Sequence, residues 1–461
     1  MIIPQNTVLK STANSALILN AIRNSATEGY QKDVPVAVYG DYKNLQEIGN
    51  AILGNPTHYN EFVNTLINRI GRVLISSKLY ENPWSFFKRG MMELGETIEE
   101  VFVDLIEAHD FDEEVAEKEI FKRELPNVLA VFHILNYKKF YKVTINETQL
   151  KQAFISWQGV TDLIGKVIET LYTSANYDEF LVMKYMIATA IINGNVYPKE
   201  IGEINKENAS SIVTGIKSVS NAFTFMSREY NPMGVATHTE KNEQYLITNS
   251  NFDAIMDVEV LASAFNMDKA DFIGHKVLVD SFALTNSEMK RLEKLLSTGD
   301  YTTFHKFTDE ELEILENVPA LLVDKDFFVI VDNYQNMTEQ FNGEGLYWNY
   351  WFHKWNTFSI SPFANATVFS GTTGSIISIS ISPTSATLKK GGKMQFTVDM
   401  ETTGIVSKAV EFVIEEEDST SAIDKSGLLT VAYDEPNTTL TVTAISVYDN
   451  TKEVSATITI S

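Results

Sequence analysis

The chain of 461 residues contains no cysteine. This absence excludes disulfide bonds, thiolate metal sites and cysteine nucleophiles, and it fits a protein that folds in a reducing cytoplasm. Positive charge is scarce as well, because the chain has 37 Lys and Arg but 61 Asp and Glu, which gives a net charge of −24. A protein this acidic repels nucleic-acid phosphate and lacks the clustered basic face that a DNA-binding domain needs.

Segments for export or membrane insertion are also missing from the pattern. The first residues show no basic region followed by an apolar run, so we expect no signal peptide. The longest apolar-rich stretch, residues 180–192, is interrupted by Lys184 and is too short to span a bilayer. We therefore predict that the protein makes no contact with a membrane.

Familiar catalytic and metal-binding patterns do not occur. The seven His are scattered, and none forms an HExxH pair; a GxSxG elbow and a GxxxxGK[ST] phosphate loop are absent. Residues 343–345 (GEG) precede a predicted strand, which favours a turn over a dinucleotide site, and residues 110–114 lack the glycine of a calcium loop. We predict no catalytic residue, no metal and no cofactor, and hence a protein that is not an enzyme.

The C-terminal 85 residues show the clearest pattern that is present. Ile377, Ile379 and Ile381 alternate with serines, which predicts a strand with one buried and one wet face. Similar runs recur up to residue 460, separated by turn residues such as Gly391-Gly392. About seven short strands in so few residues predict an immunoglobulin-like sandwich. The small polar run at 371–376 predicts a flexible linker before it.

The preceding body divides into three patterns. Residues 1–60 are polar and interrupted by prolines, so beyond a helix near 14–25 we expect an extended arm that needs a partner surface. Apolar residues at i, i+3 and i+4 predict a long helix over 160–194, with a possible break near Asn176 and an end at Gly194. Residues 200–335 alternate short helices and strands, an α+β pattern. The aromatic run 346–355 favours a strand buried on both faces over a carbohydrate platform.

Charge is most unevenly distributed between residues 91 and 145. Thirteen acidic residues lie between Glu93 and Glu124, and residues 98–106 and 128–143 predict two strands of one long hairpin. Its outgoing half is acidic and its returning half basic. Such a hairpin is either a solvated surface element or an arm that lies across a neighbouring subunit and matches charges there. The candidate inter-subunit contact residues are Glu99, Glu100, Asp104, Lys138, Lys139 and Lys142.

Seven short strings, in order along nearly the whole body, resemble one known family. They are AIRNS at 21–25, TIEE at 97–100, RELPNV at 123–128, AFNM at 264–267, LVDKD at 322–326, GLYWNY at 345–350 and FANA at 363–366. Together they are similar to the major capsid proteins of phi29-like small tailed phages, which have the Hong Kong 97-type capsid fold. Residues 379–383, 392–398 and 424–431 resemble group-two bacterial Ig-like domains, with Phe412 where a Trp is common.

This resemblance implies a fold class and a division of the chain. The fold class is an α+β Hong Kong 97-like capsid fold followed by an all-β immunoglobulin-like sandwich. The implied parts are an N-terminal arm (1–60), a peripheral domain (61–199 and 336–370) with an E-loop (91–145) and a spine helix (160–194), an axial domain (200–335), a linker (371–376) and an Ig-like domain (377–461).

The implied function is mechanical. Many copies would assemble through pentamers and hexamers into the icosahedral or prolate head of a phage virion, enclosing double-stranded DNA without sequence-specific binding. Assembly would occur in the host bacterial cytoplasm, with a scaffolding protein and a portal or connector as partners. Some relatives crosslink through a Lys–Asn isopeptide bond, but the spacing of Lys139 and Asn365 does not support such a pair here.

Two other classes of protein remain as alternatives. The first is a phage head-fibre or tail protein, or a cell-surface binding protein, displayed through its Ig-like module. The second is a glycoside hydrolase with an appended Ig-like module, which would need two positioned carboxylates.

Overall fold

The structure, a computed structural model, describes residues 15–66, 80–93, 96–106, 108, 128–146, 151–156, 159–160, 163, 167, 169–205, 207–259, 275–297 and 304–461. The α-helices in this part of the chain are α1 (Ser15–Ser25), α2 (Glu28–Asp33), α3 (Tyr42–Leu53), α4 (Pro56–Thr65), α5 (Ser174–Ile192), α6 (Ala209–Ala222), α7 (Ser250–Glu259), α8 (Asn286–Leu296) and α9 (Asp309–Glu316). Among the described residues, no helix combines the length and apolar character that crossing a membrane requires.

The strands fall into two groups. Those of the body are β1 (Lys88–Met91), β2 (Ile98–Val103), β3 (Val128–His133), β4 (Tyr137–Asn146), β5 (Tyr197–Glu200), β6 (Gln244–Asn249), β7 (Lys276–Val279), β8 (Ala320–Asp324), β9 (Phe328–Asn342), β10 (Tyr347–Ile360) and β11 (Ala366–Ser370). Those of the C-terminal module are β12 (Ser375–Ser382), β13 (Ser385–Leu388), β14 (Lys393–Gln395), β15 (Thr397–Thr403), β16 (Val410–Ile414), β17 (Ala422–Ile423), β18 (Leu428–Thr430), β19 (Thr439–Ser446) and β20 (Glu453–Ile460).

The first sheet of the body is built on the long hairpin β9–β10. Its strand order is β1-β9-β10-β4, with β1 parallel to β9 and the other neighbours antiparallel. The side-chain oxygen of Asn342 closes the hairpin turn by accepting hydrogen bonds from the N–H groups of Glu344 and Gly345, at 3.1 and 2.9 Å. Residues 343–345 therefore form the expected turn.

The second sheet has the order β5-β11-β8-β6-β7 and is covered on both faces. Along β8, Leu321 and Val323 belong to the main apolar cluster of the body, which also contains most of α5. The alternate residue Leu322 belongs to a second cluster, with Ile212 and Phe223 of the α6 region. The alternation of apolar side chains with period two thus places one helical layer on each face. Helix α9 is one of the short helices expected within residues 200–335.

Helix α5 occupies the centre of the body. Most of its residues are buried, and three ionisable residues are buried among the apolar ones, so the helix is surrounded by protein. A π-helical turn over Glu169–Thr173 precedes it, close to the break expected at Asn176. The helix ends where expected, because Gly194 takes a left-handed φ of +73°. Most of residues 157–168, the start of the predicted helix, lie outside the described residues.

The interpretation of residues 1–60 as an extended arm is wrong for the residues that the structure describes. Helices α1–α4 fill most of the segment from Ser15 to Thr65. Thr27, Asp41 and Asn55 start three of these helices by accepting hydrogen bonds from N–H groups of the first turn. Residues 1–14 lie outside the described residues.

These N-terminal helices pack into the body. Ile22, Leu45 and Phe62 are buried in one apolar cluster with Tyr350 and Phe352 of β10. Pro56 does not interrupt a helix, because it stands at the first position of α4, where its missing N–H is not needed. The inner face of β10 and the N-terminal helices therefore share one core.

The C-terminal module is a β-sandwich, as expected. Its strands form sheets in the orders β12-β15, β13-β20-β19-β16 and β14-β18-β17. Ile381, Phe396, Leu440 and Ile458 are buried between them. The linker is shorter than predicted, because residues 375 and 376 already belong to β12 and Ile376 is buried.

Burial of the N-terminal helices predicts a stability effect in the free subunit. We expect Leu45→Ala to lower the free energy of unfolding by about 2–5 kcal/mol, because truncating a buried Leu removes packing and leaves a cavity. Leu45 is 0% exposed, whereas Leu17 on α1 is 56% exposed, so Leu17→Ala is the matched control and should change stability little. Urea unfolding of the monomer checks both; equal effects would show that residues 15–65 are not part of the subunit core.

Candidate assembly surfaces

Two antiparallel strands of the hairpin predicted between residues 91 and 145 are present, but each strand is shorter than predicted. Strands β2 and β3 pair antiparallel from Ile98↔His133 to Val103↔Val128. Successive side chains point to opposite faces, so the hairpin has an inner and an outer face. On the inner face, Phe102 stacks on Phe363 at 5.6 Å between ring centroids. This face is fastened to the body of its own chain.

Glu100 lies on the inner face and makes ion pairs within its own chain. Its carboxylate lies 3.3 Å from Arg89 and 3.2 Å from the imidazole of His133, whose other ring nitrogen hydrogen-bonds Ser359 at 2.7 Å. Burial acts to raise the pKa of Glu100, but hydrogen bonds from His133 and Ser361 and the charge of Arg89 outweigh it and hold the pKa below its ordinary value.

Asp104 is held in the same way at the end of β2. Two nitrogens of Arg228 contact its carboxylate oxygens at 2.9 and 3.0 Å, a bidentate pair. Burial acts to raise the pKa of Asp104, whereas the Arg228 hydrogen bonds and charge lower it below its ordinary value overall. Glu100 and Asp104, two of the predicted contact residues, thus anchor the hairpin to the body.

The outer face of the hairpin is apolar, and the described residues of the chain do not cover it. Val101, Val103, Val128 and Phe132 are exposed, Val101 to 56% and Phe132 to 61%. Glu99, the third acidic candidate, lies on this face directly opposite Phe132. Contiguous exposed apolar residues with a charged neighbour are typical of a protein–protein contact surface. The acidic residues from 109 to 124 lie outside the described residues.

The prediction that Lys138, Lys139 and Lys142 form the returning half of this hairpin is wrong. The chain leaves the hairpin at His133, and the lysines lie on β4, which pairs with β10. Asn136 marks the change of sheet, since its side chain donates to the carbonyl of Phe358 at 2.7 Å and accepts from the N–H of the same residue at 2.9 Å.

Two of these lysines form an exposed face with aromatic rings of β10. The Lys138 ammonium lies 5.8 Å from the centre of the Trp355 ring, and the Lys142 ammonium lies 5.5 Å from that of Trp351. Exposed Phe140 lies between the lysines, so this lysine–tryptophan face is both cationic and aromatic. The expectation that β10 is buried on both faces is therefore wrong for this part of the strand.

Lys139 does not share that face, because it is the alternate residue of β4. It is half-buried, and this burial lowers the pKa of its ammonium group. Asn365, its hypothetical crosslinking partner, is buried just before β11, in the other sheet, and donates to the Thr239 hydroxyl at 3.1 Å.

A buried ion network that sequence analysis missed positions the first sheet. Glu179 of α5 accepts contacts from Lys354 at 2.6 Å, Lys88 at 3.1 Å and Asn82 at 2.7 Å. Lys88 also pairs with Asp332 of β9 at 2.6 Å. Burial acts to raise the pKa of Glu179, but the two lysine charges outweigh it and lower the pKa below its ordinary value. The Glu179 carboxylate thus links α5 directly to β1 and β10, and through Lys88 to β9.

The neighbouring charges of α5 are paired as well. Lys184 is buried and contacts both oxygens of Asp280 at 3.0 Å. Asp178 pairs with Arg291 of α8 and accepts a hydrogen bond from the Tyr141 hydroxyl of β4 at 2.9 Å. Within the described part of the chain, no three His, Asp or Glu side chains form a group that could hold a metal ion.

Comparisons with known proteins agree with this architecture. Residues 19–370 match the family model described as Phi29-like phage major capsid protein, and residues 376–457 match the bacterial Ig-like domain of group 2. The sequence is 35% identical to the major capsid protein of Bacillus phage PZA, over 91% of this chain and 87% of that protein. It is 36% identical to the major capsid protein of Bacillus phage B103, with the same coverage.

Similarity to solved structures is more distant. The capsid structure of Staphylococcus phage Andhra aligns with a TM-score of 0.49 and 16% identity, covering 64% of this chain and 85% of that chain.

A capsid subunit is therefore the class of protein that the fold and the family match define. The chain belongs to the phi29-like phage major capsid protein family. It is a structural component of the phage head, and the predicted combination of a phage capsid body of mixed α and β content with a C-terminal Ig-like sandwich is confirmed. The match spans the body itself, which decides against a fibre protein, an adhesin or a glycoside hydrolase.

The ion network predicts a pH-dependent stability. At neutral pH, we expect Glu179→Gln to lower the free energy of unfolding by about 3–5 kcal/mol, because it leaves buried Lys354 without its counter-charge and Lys88 with Asp332 alone. The folded-state pKa of Glu179 lies below its ordinary value of 4.5, so the ion-pair contribution is complete above that value and is lost as the pH falls through the lower, folded pKa.

Urea unfolding at pH 7 and at several values below 4.5 checks this, with exposed Glu316→Gln on α9 as the control. The difference in free energy of unfolding between wild type and Glu179→Gln should become smaller as the pH falls. The corresponding difference between wild type and Glu316→Gln should stay near zero at every pH. A difference that is constant with pH would show that the carboxylate charge does not contribute to stability.

Proposed function

We propose that this major capsid protein closes its shell by laying the outer face of the β2–β3 hairpin on a neighbouring copy. The observation that carries the proposal is the division of the hairpin into two faces. One face is bound by Phe363, Arg89 and Arg228 of its own chain, and the other is apolar and uncovered. Apolar residues held in a rigid, exposed arrangement gain free energy when a partner covers them.

Charge supports a second part of the same contact. The lysine–tryptophan face is a local positive surface on a chain whose net charge is −24, and the stretch from Glu93 to Glu124 carries thirteen acidic residues. Complementary charges increase association rates and suppress wrong registers more than they raise affinity. In this proposal Glu99, Lys138 and Lys142 contact neighbouring subunits directly, while Glu100 and Asp104 position the hairpin and Lys139 supports β4.

The assembled form in this proposal is the one that membership of a phage capsid protein family implies. Copies form pentamers and hexamers that close into an icosahedral or prolate head, which is built in the host cytoplasm. A scaffolding protein and a portal or connector are the further partners. The head encloses double-stranded DNA without reading its sequence, and an acidic chain suits that task because DNA then slides past the wall without tight binding. No catalytic step is part of this function.

Phe132→Asp tests the hairpin contact. We expect the variant subunit to melt like wild type, because Phe132 is exposed, and to form no closed shells, because the charge would be buried in every copy of the interface. The control is Tyr433→Asp on the Ig-like domain, where the side chain is 85% exposed. Sedimentation and negative-stain microscopy, with the protein expressed alone and with a scaffolding protein, are the measurements. Closed shells from Phe132→Asp at wild-type yield would refute the contact.

Reversal of two lysine charges tests the electrostatic part. We expect Lys138→Glu with Lys142→Glu to slow shell formation strongly at low salt, because like charges would then face each other in many copies. The monomer should lose no more than about 1–2 kcal/mol, the worth of two exposed cation–π contacts. Lys290→Glu with Lys294→Glu on α8 makes the same change in net charge and is the control. Equal assembly rates for the two double variants would remove the charge-matching argument.

A further inference from the structure

The loop between β15 and β16 of the Ig-like domain is inserted into the capsid-type body. Ile405 is only 4% exposed and belongs to the main apolar cluster of the body, with Ile191 and Val196 beside the end of α5. Its neighbours Val406 and Ser407 are buried as well. If the Ig-like domain were joined to the body only by a flexible linker, this loop would be exposed to solvent. Its burial in the body makes it a docking element.

Gly194 is the site on the body that receives this docking loop, residues 404–409. Its carbonyl accepts a hydrogen bond from the Lys408 N–H at 2.9 Å. A Cβ built on Gly194 would lie 2.6 Å from the carbonyl oxygen of Val406 and 2.7 Å from Cγ of Lys408. Gly194 is needed twice, because its φ of +73° ends α5 and its missing side chain admits the loop.

Further contacts hold the connection between the two parts. Residues 371–374 run beside β5, where the Thr373 hydroxyl donates to Glu200 at 3.3 Å, and the Gly374 N–H donates to the carbonyl of Ile405 at 2.8 Å. The ring of Tyr448, on the Ig-like domain, meets Tyr197 of β5 edge-on at 6.1 Å between centroids. The linker predicted to be flexible is thus held by hydrogen bonds at Thr373 and Gly374.

We propose that the docking loop makes the Ig-like domain a fixed part of the capsid subunit, one that completes the core of the body and has a single orientation on it. The partner of this interface is the body of the same chain, at the C-terminal end of α5. This inference concerns the subunit before assembly and holds whether or not the hairpin makes the proposed contact between copies.

Gly194→Ala in the full-length chain tests the interface, with Gly202→Ala as the matched control. Gly202 has a φ of +75°, so both alanines suffer the same backbone strain, but a Cβ at Gly202 meets no atom within 4 Å. We expect both variants to melt slightly below wild type. Only Gly194→Ala should then raise amide hydrogen exchange of residues 404–409 by at least tenfold and open residues 371–374 to limited proteolysis.

A charge in the docking loop gives an independent measurement. Ile405→Asp should split the single unfolding transition into two, because the body and the Ig-like domain would no longer unfold together. Val413→Asp places the same charge at a residue of β16 that is 38% exposed and should keep one transition. If Ile405→Asp does not fold, the comparison of Gly194→Ala with Gly202→Ala still tests the proposal. Equal exchange at residues 404–409 in Gly194→Ala and Gly202→Ala, or a single transition for Ile405→Asp at the wild-type temperature, would overturn the proposal.

Discussion

Three ionisable side chains inside a buried helix constrain this subunit most strongly. Helix α5 is surrounded by protein, so Asp178, Glu179 and Lys184 cannot rely on water to stabilise their charges. A buried charge without a partner costs several kcal/mol, so each needs its counter-charge at contact distance. The partners come from β1, β10, α8 and the loop after β7, and pairing with all of them fixes the rotation and the axial position of the helix. Both sheets are then placed relative to one another through α5.

Local patterns were predictable from the sequence, and long-range pairing was not. Periodicity located the sandwich, the end of α5 at Gly194 and the turn at 343–345 because each depends on residues close together in the chain. Nothing in the sequence distinguishes Lys88 and Lys354 from lysines on the surface, and only the fold brings them to Glu179. Residues 128–143 contain no Gly or Pro that would signal a break, so the change of sheet at Asn136 could not be predicted without the position of β10. The helix expected near 14–25 is present as α1, but α2, α3 and α4 were not predicted, because prolines were given more weight than the apolar spacing of α3.

The hairpin shows why a count of charges is a poor guide to a contact surface. In a strand of period two, the even-numbered acids Glu100 and Asp104 turn toward their own chain, while Glu99 and the valines between them turn outward. Arg89 and Arg228 neutralise the inner acids and His133 contacts Glu100, which fastens the hairpin and leaves the outer face free to be covered. An arm anchored in this way loses little conformational entropy on association, so even a modest apolar contact can contribute to assembly when it is repeated in every copy.

The end of α5 links this arrangement to the Ig-like domain. Gly194 must terminate the helix with a left-handed φ, and the same absence of a side chain lets residues 406–408 approach the backbone. Helix termination and domain orientation therefore depend on one residue. The order of synthesis adds a consequence, because the family match to the body ends at residue 370 whereas Ile405 belongs to the core of that body. N-terminal parts of a chain generally fold first during synthesis. The main apolar cluster must therefore lack Ile405 until the docking loop has emerged, so the subunit reaches its final stability only when the Ig-like domain has folded against it.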